Sequence, residues 1–243
     1  MIERHLAKLR ARDTLSADEE DAIRAAVAEV REIPADRTII DPRVELKHST
    51  LLLDGILCRY KDGRTGERQI TELHVAGDFA DLHSFTLKYL DHSIMTLTSC
   101  RIALVPHDKL RLITERHPHL TRLYWFATNL DAAIHREWEF SLGRRTARAK
   151  IAALLCELLL RLQIVGLADE TSYDLALTQA DLGDCTGLTS IHVNRTLKDL
   201  RESGLVTFQN GRVNIMDLPG LRRAGEFDPT YLYLDRQSRY ADL

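Results

Sequence analysis

Ser190, Ile191, Asn194, Arg195 and Lys198 recur at the spacing of one helix face, with His192 beside them, and together they offer polar groups, an aliphatic surface and two cations. That set suits the reading of base edges in DNA rather than the making of bonds. Arg195 lies at the centre of the face, where a guanidinium can pair with a guanine through two hydrogen bonds, a contact worth about 1 to 3 kcal/mol of discrimination. Ser190, His192 and Asn194 can reach bases or phosphates, and Ile191 can pack on a thymine methyl. Thr178, Thr189, Lys198 and Arg212 suit phosphate contacts, which set register without reading sequence. The chain has no nucleophile elbow, phosphate-cradling glycine loop, HExxH helix or kinase-type set, so it reads as a non-enzyme.

The elements that would present this face are legible in TQADLGDCTGLTSIHVNRTLKDLRESGLVTFQNGRVNI, residues 178–215. Thr178 caps a short helix, with Asp181 at its third position completing a capping pair. Gly187 permits a left-handed turn, Thr189 caps a second helix, and Val193, Leu197 and Leu200 fall on its buried side. Gly204 closes that helix, and Asn210-Gly211 joins two short strands in a tight hairpin. Helix, turn, helix and hairpin make a winged helix-turn-helix, whose second helix fits the major groove. Winged helices also serve as protein-docking modules, and that alternative stays open.

A net charge of -3 over 243 residues would argue against a phosphate-rich partner, but the charges are unevenly distributed. Basic residues gather at Arg144, Arg145, Arg148 and Lys150, then at Arg195, Lys198 and Arg201, then at Arg212, Arg222 and Arg223, while Asp18 to Asp21 form an acidic run. Cys58, Cys100, Cys156 and Cys185 lie far apart without a CxxC pair, as expected of reduced intracellular thiols. Ten histidines form no diagnostic ligand spacing, so no metal site is expected. The apolar run Ile151 to Leu160 is too short and too charged to span a bilayer, and the N-terminus lacks secretory features, so a cytoplasmic protein without membrane association is expected.

Upstream, Met1 to about Asp36 reads as helical, with a capping box at Ser16 to Glu19. From Thr38 to about Val105, short strand-like runs alternate with turns at Asp41-Pro42, Asp62-Gly63 and Gly77-Asp78, which suggests a small antiparallel barrel. After Pro106 a helix follows, and Pro118 opens a longer one. On it Leu120, Leu123, Ala127, Leu130 and Ile134 keep three-four spacing, with Tyr124 and Trp138 on the flanks. Such a stripe suits a seam with the same helix of a second copy, the alternative being packing on its own domain. The divisions expected are a barrel domain over 1–116, a dimerisation helix over 117–142 and a DNA-binding domain with a tail over 143–243, with a break at Ser141 to Gly143.

Three segments carry a resemblance to the Crp/Fnr superfamily of bacterial transcription regulators. AGDFADLHSF, 76–85, resembles its Gly-Asp-Phe turn; TSCRIALVPHDKL, 98–110, resembles its last barrel strand and following helix; GLTSIHVNRTLKDLRESGLV, 187–206, resembles its recognition helix, with Arg195 at the guanine-reading position. The resemblance implies an α+β chain: an N-terminal antiparallel jelly-roll barrel of the cyclic-nucleotide-binding type, which makes the domain over 1–116 a sensor, a long dimerisation helix and a C-terminal winged helix-turn-helix. It also implies a homodimer on a near-palindromic double-stranded DNA site, with RNA polymerase as a further partner.

The departures bear on the effector and the operator. Asp81 stands near the family's ribose-binding glutamate, no arginine occurs between Gly77 and Arg101 to hold a cyclic phosphate, and Lys88 is a poor substitute. Cyclic AMP is therefore not expected as a tight ligand. The first cysteine is Cys58, so the N-terminal cluster of an iron-sulfur centre is absent as well. Ile191 replaces the glutamate common in the family's recognition helix, which leaves the usual half-site unassigned. A sensor acting through a protein partner, and a DNA binder with an empty barrel, remain alternative readings. The tail 217–243 has no assigned role.

Overall fold

The computed structural model describes residues 1–234 and groups them into two compact units. One contains Met1–Arg59, Leu73–Ala133 and the described residues from Leu232 on; the other contains Tyr60–Glu72 and Ile134–Tyr231. The division therefore runs through the long helix rather than at Gly143, and the tip of one hairpin groups with the C-terminal half.

The first unit opens with α1 (Glu3–Arg12) and α2 (Ala17–Ala26), the latter started by the expected capping box of Ser16 and Glu19. The helical reading to Asp36 fails beyond them. Glu29–Ile33 is instead strand β1, paired antiparallel with Leu104 to Cys100, because the alternating EVREI can complete the edge of a sheet. There follow β2 (Arg37–Ile40), β3 (His48–Asp54), β4 (Leu57–Asp62), β5 (Arg68–His74), the short helix α3 (Ser84–Leu87), β6 (Ser93–Thr96) and β7 (Cys100–Pro106). They form a three-stranded sheet in the order β1-β7-β3 and a four-stranded sheet in the order β2-β6-β4-β5.

The run Leu51-Leu52-Leu53 shows how this unit is packed. Successive side chains of a strand point to opposite faces. Leu52 joins Leu57, Ile94, Ile102 and Leu104 in one apolar cluster, while Leu51 and Leu53 join Leu6, Leu9, Ile23, Ala103 and Val105 in another. The first fills the space between the sheets; the second seats the helices on the outside.

Helices α4 (His107–Arg116) and α5 (Pro118–Arg144) begin where Pro106 and Pro118 predicted. Of the stripe expected to form an intersubunit seam, Leu120, Leu123 and Tyr124 are buried in the second cluster within one chain, with Ala127 packed against it. The apolar faces of α1, α2 and the sheet cover that end of the stripe within one chain. Leu130 is only half-buried, and Ile134 is buried within the other unit. The large side chains left outside are Trp125 and Phe140, 68% and 50% exposed. The break predicted at Ser141 to Gly143 is also absent, since α5 continues through Gly143.

In the second unit, α6 (Ala147–Ile164) is capped by Thr146 and buried on most of its surface, as its apolar run predicts. Its one buried carboxylate, Glu157, accepts from Trp138 Nε1 at 3.0 Å, Arg161 Nη1 at 2.9 Å and the Tyr231 hydroxyl at 2.7 Å. Around α6 lie β8 (Ser172–Asp174), α7 (Gln179–Thr186), α8 (Ser190–Glu202), β9 (Val206–Gln209), β10 (Arg212–Ile215) and α9 (Leu218–Ala224), followed by a 3₁₀ turn, Pro229–Leu232. The order β8-β10-β9 makes the wing three-stranded rather than a simple hairpin. Part of the unassigned tail is thus α9 and the 3₁₀ turn; residues 235–243 lie outside the described residues. No helix among the described residues is long and apolar enough to cross a membrane.

Candidate nucleic-acid interface

The turn between α7 and α8 is built as its residues require. The Thr178 hydroxyl accepts from the Asp181 amide at 3.1 Å, and the Asp181 carboxylate accepts from the Thr178 amide at 2.9 Å, closing a capping box. Gly183 is needed for a different reason: a Cβ there would collide with the carbonyl oxygen of Leu188. Gly187 ends α7 with a φ of 65°, a conformation that glycine adopts without the clash a Cβ brings.

Helix α8 then starts at Thr189, whose hydroxyl accepts from the His192 amide at 3.3 Å. Val193, Thr196 and Leu200 are buried beneath it. Leu197, expected on that side, is half-buried, and Thr196 takes a place in the core that its polar type did not announce. Ser190, Asn194, Arg195 and Lys198 are exposed, His192 is half-buried, and Ile191 is 84% exposed. Arg195 makes no hydrogen bond or ion pair among the described residues, so its guanidinium is available to an outside acceptor. Lys198 has a loose contact of 3.7 Å with Glu202 on the next turn.

Two predicted phosphate contacts are otherwise engaged. The Thr178 hydroxyl, besides accepting its cap bond, donates to Asp181 Oδ2 at 2.7 Å. The Arg212 guanidinium reaches Asp174 at 2.8 Å, Ser172 Oγ at 2.7 Å and Asp169 at 3.3 Å, tying β10 to β8. Its neighbours in space are carboxylates from 38 and 43 positions earlier, which sequence adjacency does not reveal. Among the basic residues upstream, Arg145 is buried against Glu137 at 2.7 Å and donates to the Glu226 carbonyl. Arg148 contacts Asp199.

A residue missed by sequence reasoning is Arg68. Its guanidinium donates to Asp184 at 2.7 Å and Asp181 at 2.9 Å, and Gln69 donates to the Asp184 carbonyl at 2.6 Å. Two carboxylates of α7 are thereby offset by a cation 113 and 116 positions away. No local pattern could have signalled it.

In the first unit, the AGDFADLHSF turn holds Asp81 fully buried. Its Oδ1 accepts from the Thr50 amide at 2.5 Å, and Oδ2 has no hydrogen-bond partner among the described residues. Burial pushes its pKa up to about 7, against the lowering effects of the Thr50 amide, Arg59 and Ser84. Nearby, the Ser49 and Ser84 hydroxyls lie 3.3 and 3.2 Å from His107 Nε2. The arginine absent from the turn itself has a substitute from β4: Arg59 donates to the Ala80 carbonyl at 2.8 Å, yet its other end is paired with Asp131 at 2.9 Å. Lys88 donates to the Phe85 carbonyl at 2.6 Å. All four cysteines, Cys185 included, are buried and unlinked.

The profile of the Crp-like helix-turn-helix domain matches residues 149–224. A probable transcriptional activator of Rhizobium leguminosarum bv. viciae is 33% identical over 196 residues, covering 79% of this chain and 80% of that protein. The nitrogen fixation regulation protein FixK of Bradyrhizobium diazoefficiens is 30% identical over 167 residues, covering 68% of this chain and 69% of its own. In fold, the chain is similar to FixK2 from Bradyrhizobium japonicum, with a TM-score of 0.74 at 23% identity, over 82% of this chain and 97% of that one.

Proposed function

Since the chain belongs to the Crp/Fnr family of DNA-binding transcription regulators, we propose that two copies dock their α8 helices in successive major grooves of a near-palindromic site, about 34 Å apart. The observation that carries this reading is Arg195, solvent-facing and without a partner among the described residues, at the centre of a helix capped and supported for insertion. Ser190, Ile191 and Asn194 share its exposed face, and Thr189, His192 and Lys198 border it. Ile191 offers a methyl contact, so the preferred half-site carries a thymine where a glutamate would read a cytosine.

The second copy packs on the outward face of α5 rather than on the predicted stripe. Trp125 supplies the exposed apolar surface there. The relative from Rhizobium is named an activator, which supports RNA polymerase as a partner of the bound dimer in the cytoplasm.

The barrel does not fit cyclic AMP. Asp81 is fully buried with one oxygen on the Thr50 amide, and Arg59 is paired with Asp131, which argues against a cyclic phosphate held here by a guanidinium. Recovery of bound genomic fragments followed by mobility shift tests the whole reading. A preferred fragment with two-fold symmetry is expected; no preference over competitor DNA at any salt concentration would overturn it.

A further inference from the structure

Between β1, β2, β3 and β7 lies a cavity of about 240 Å³. Ile33, Ile40, Ile102 and Leu104 give it an aliphatic wall, all four belonging to the cluster between the sheets or packed against it. Its polar lining includes Arg31, Arg37 and His48 and contains no carboxylate. A site of this kind selects a ligand with an apolar body and a single anionic end.

The basic groups are not equivalent. Arg31 is held by both oxygens of Glu29, at 2.7 and 2.8 Å, which offsets its charge. Burial and the Arg31 charge push the His48 pKa down, so this ring contributes a neutral hydrogen-bonding group. Arg37 has its backbone anchored, the amide donating to Thr96 Oγ1 at 2.9 Å, yet its guanidinium makes no hydrogen bond or ion pair among the described residues. An exposed, unengaged planar cation lining an aliphatic cavity is suited to a carboxylate, which it can bind through two parallel hydrogen bonds.

We infer that this cavity binds a small organic carboxylate, with its carboxylate on Arg37 and its hydrocarbon body against Ile40, Ile102 and Leu104. Thr50 links the site to the rest of the unit, because it lines the cavity while its amide is held by Asp81. The inference extends the sensor reading by naming a ligand class, and it is tested without DNA, so that failure of DNA binding and failure of ligand binding are read separately.

The test is calorimetry on the full chain with octanoate, its neutral analogue octanamide, and cyclic AMP. Octanoate is expected to saturate at one per chain, with octanamide about tenfold weaker or worse. Arg37→Leu should weaken octanoate by about the same factor and leave octanamide unchanged, since an exposed guanidinium is replaced without touching the core. Ile102→Trp should abolish binding of both by filling the space, with the melting curve reporting whether that variant folds. Absence of saturable octanoate binding, equal affinity for acid and amide, octanoate binding by Arg37→Leu as tight as by the parent chain, or tighter binding of cyclic AMP than of octanoate would each overturn the assignment.

Discussion

The amide of Thr50 donates to one oxygen of Asp81 at 2.5 Å, and the other oxygen of that buried carboxyl has no hydrogen-bond partner among the described residues. A charge in that setting is disfavoured by the loss of water, which is why burial raises the Asp81 pKa from 3.8 to about 7. Between these values the folded chain holds a proton that the unfolded chain has released. Stability from this group is therefore greatest below about pH 4 and declines as pH rises toward 7. His5, buried and lowered from 6.5 to about 4, acts in the opposite sense, its contribution being lost as pH falls through that window.

The first prediction follows from this opposition. Asp81→Asn keeps the acceptor for Thr50 and removes the titration, so it should stabilise the chain at pH 7 by an amount on the order of a few kcal/mol. It should also unmask a loss of stability on acidification from 6.5 toward 4 that the parent chain largely conceals. Urea midpoints across that range measure both; a variant with the parent's pH profile would show that Asp81 is ionised in the fold.

On the reading helix, Arg195→Ala should cost about 1 to 3 kcal/mol at one base position and relax the preference there. Lys198→Ala should weaken binding to all sequences alike and lower the salt slope by about one. Titration of matched and single-mismatch duplexes at several salt concentrations separates the two effects.

Two glycines of the same unit should respond differently to one methyl group. Gly183→Ala meets the Leu188 carbonyl and forces the two helices apart, at a cost of about 1 to 3 kcal/mol and with impaired DNA binding. Gly204→Ala meets nothing within 4 Å and loses only the ease of a φ of +69°, about 1 to 2 kcal/mol, with DNA binding intact. Equal effects on DNA affinity would mean that contact with Leu188 does not govern the turn.

Glu157→Leu should destabilise the second unit by about 3 to 5 kcal/mol, because it leaves the buried Arg161 cation without its carboxylate at 2.9 Å. Glu157→Gln retains an acceptor and should cost less. Denaturant unfolding followed by fluorescence ranks the pair, and the reverse order would remove the ion pair from the account.

Trp125→Glu should convert the dimer to a monomer in sedimentation equilibrium while leaving the melting temperature nearly unchanged, since Trp125 is solvent-facing within one chain. A fall in melting temperature with the dimer preserved would return the seam to the other face of α5.

The reading head was legible almost residue by residue because its determinants are local. A capping threonine, a glycine at a left-handed turn and an Asn-Gly hairpin each act on neighbours within a few positions, and the structure has all of them at Thr178, Gly187 and Asn210. Helix starts at Pro106 and Pro118 were readable for the same reason. The strand at Glu29 was not, because what holds it is Leu104 and its neighbours, about 75 positions away.

By itself, then, the amino-acid sequence determined the order of elements within the reading head, the family and the identity of the groups on the face of α8, all of which follow from short-range geometry and residue type. Tertiary structure alone decided which of several chemically equivalent partners each group took. Leu120, Leu123 and Tyr124 satisfy a seam with a second copy as well as a core, and the apolar faces of α1, α2 and the sheet, already tethered in the same chain, covered them first. Arg212 satisfies a phosphate as well as a carboxylate, and Asp174 stood opposite it on the next strand. Residue type states what a side chain can bind, but competition between partners is settled by what the fold brings within reach.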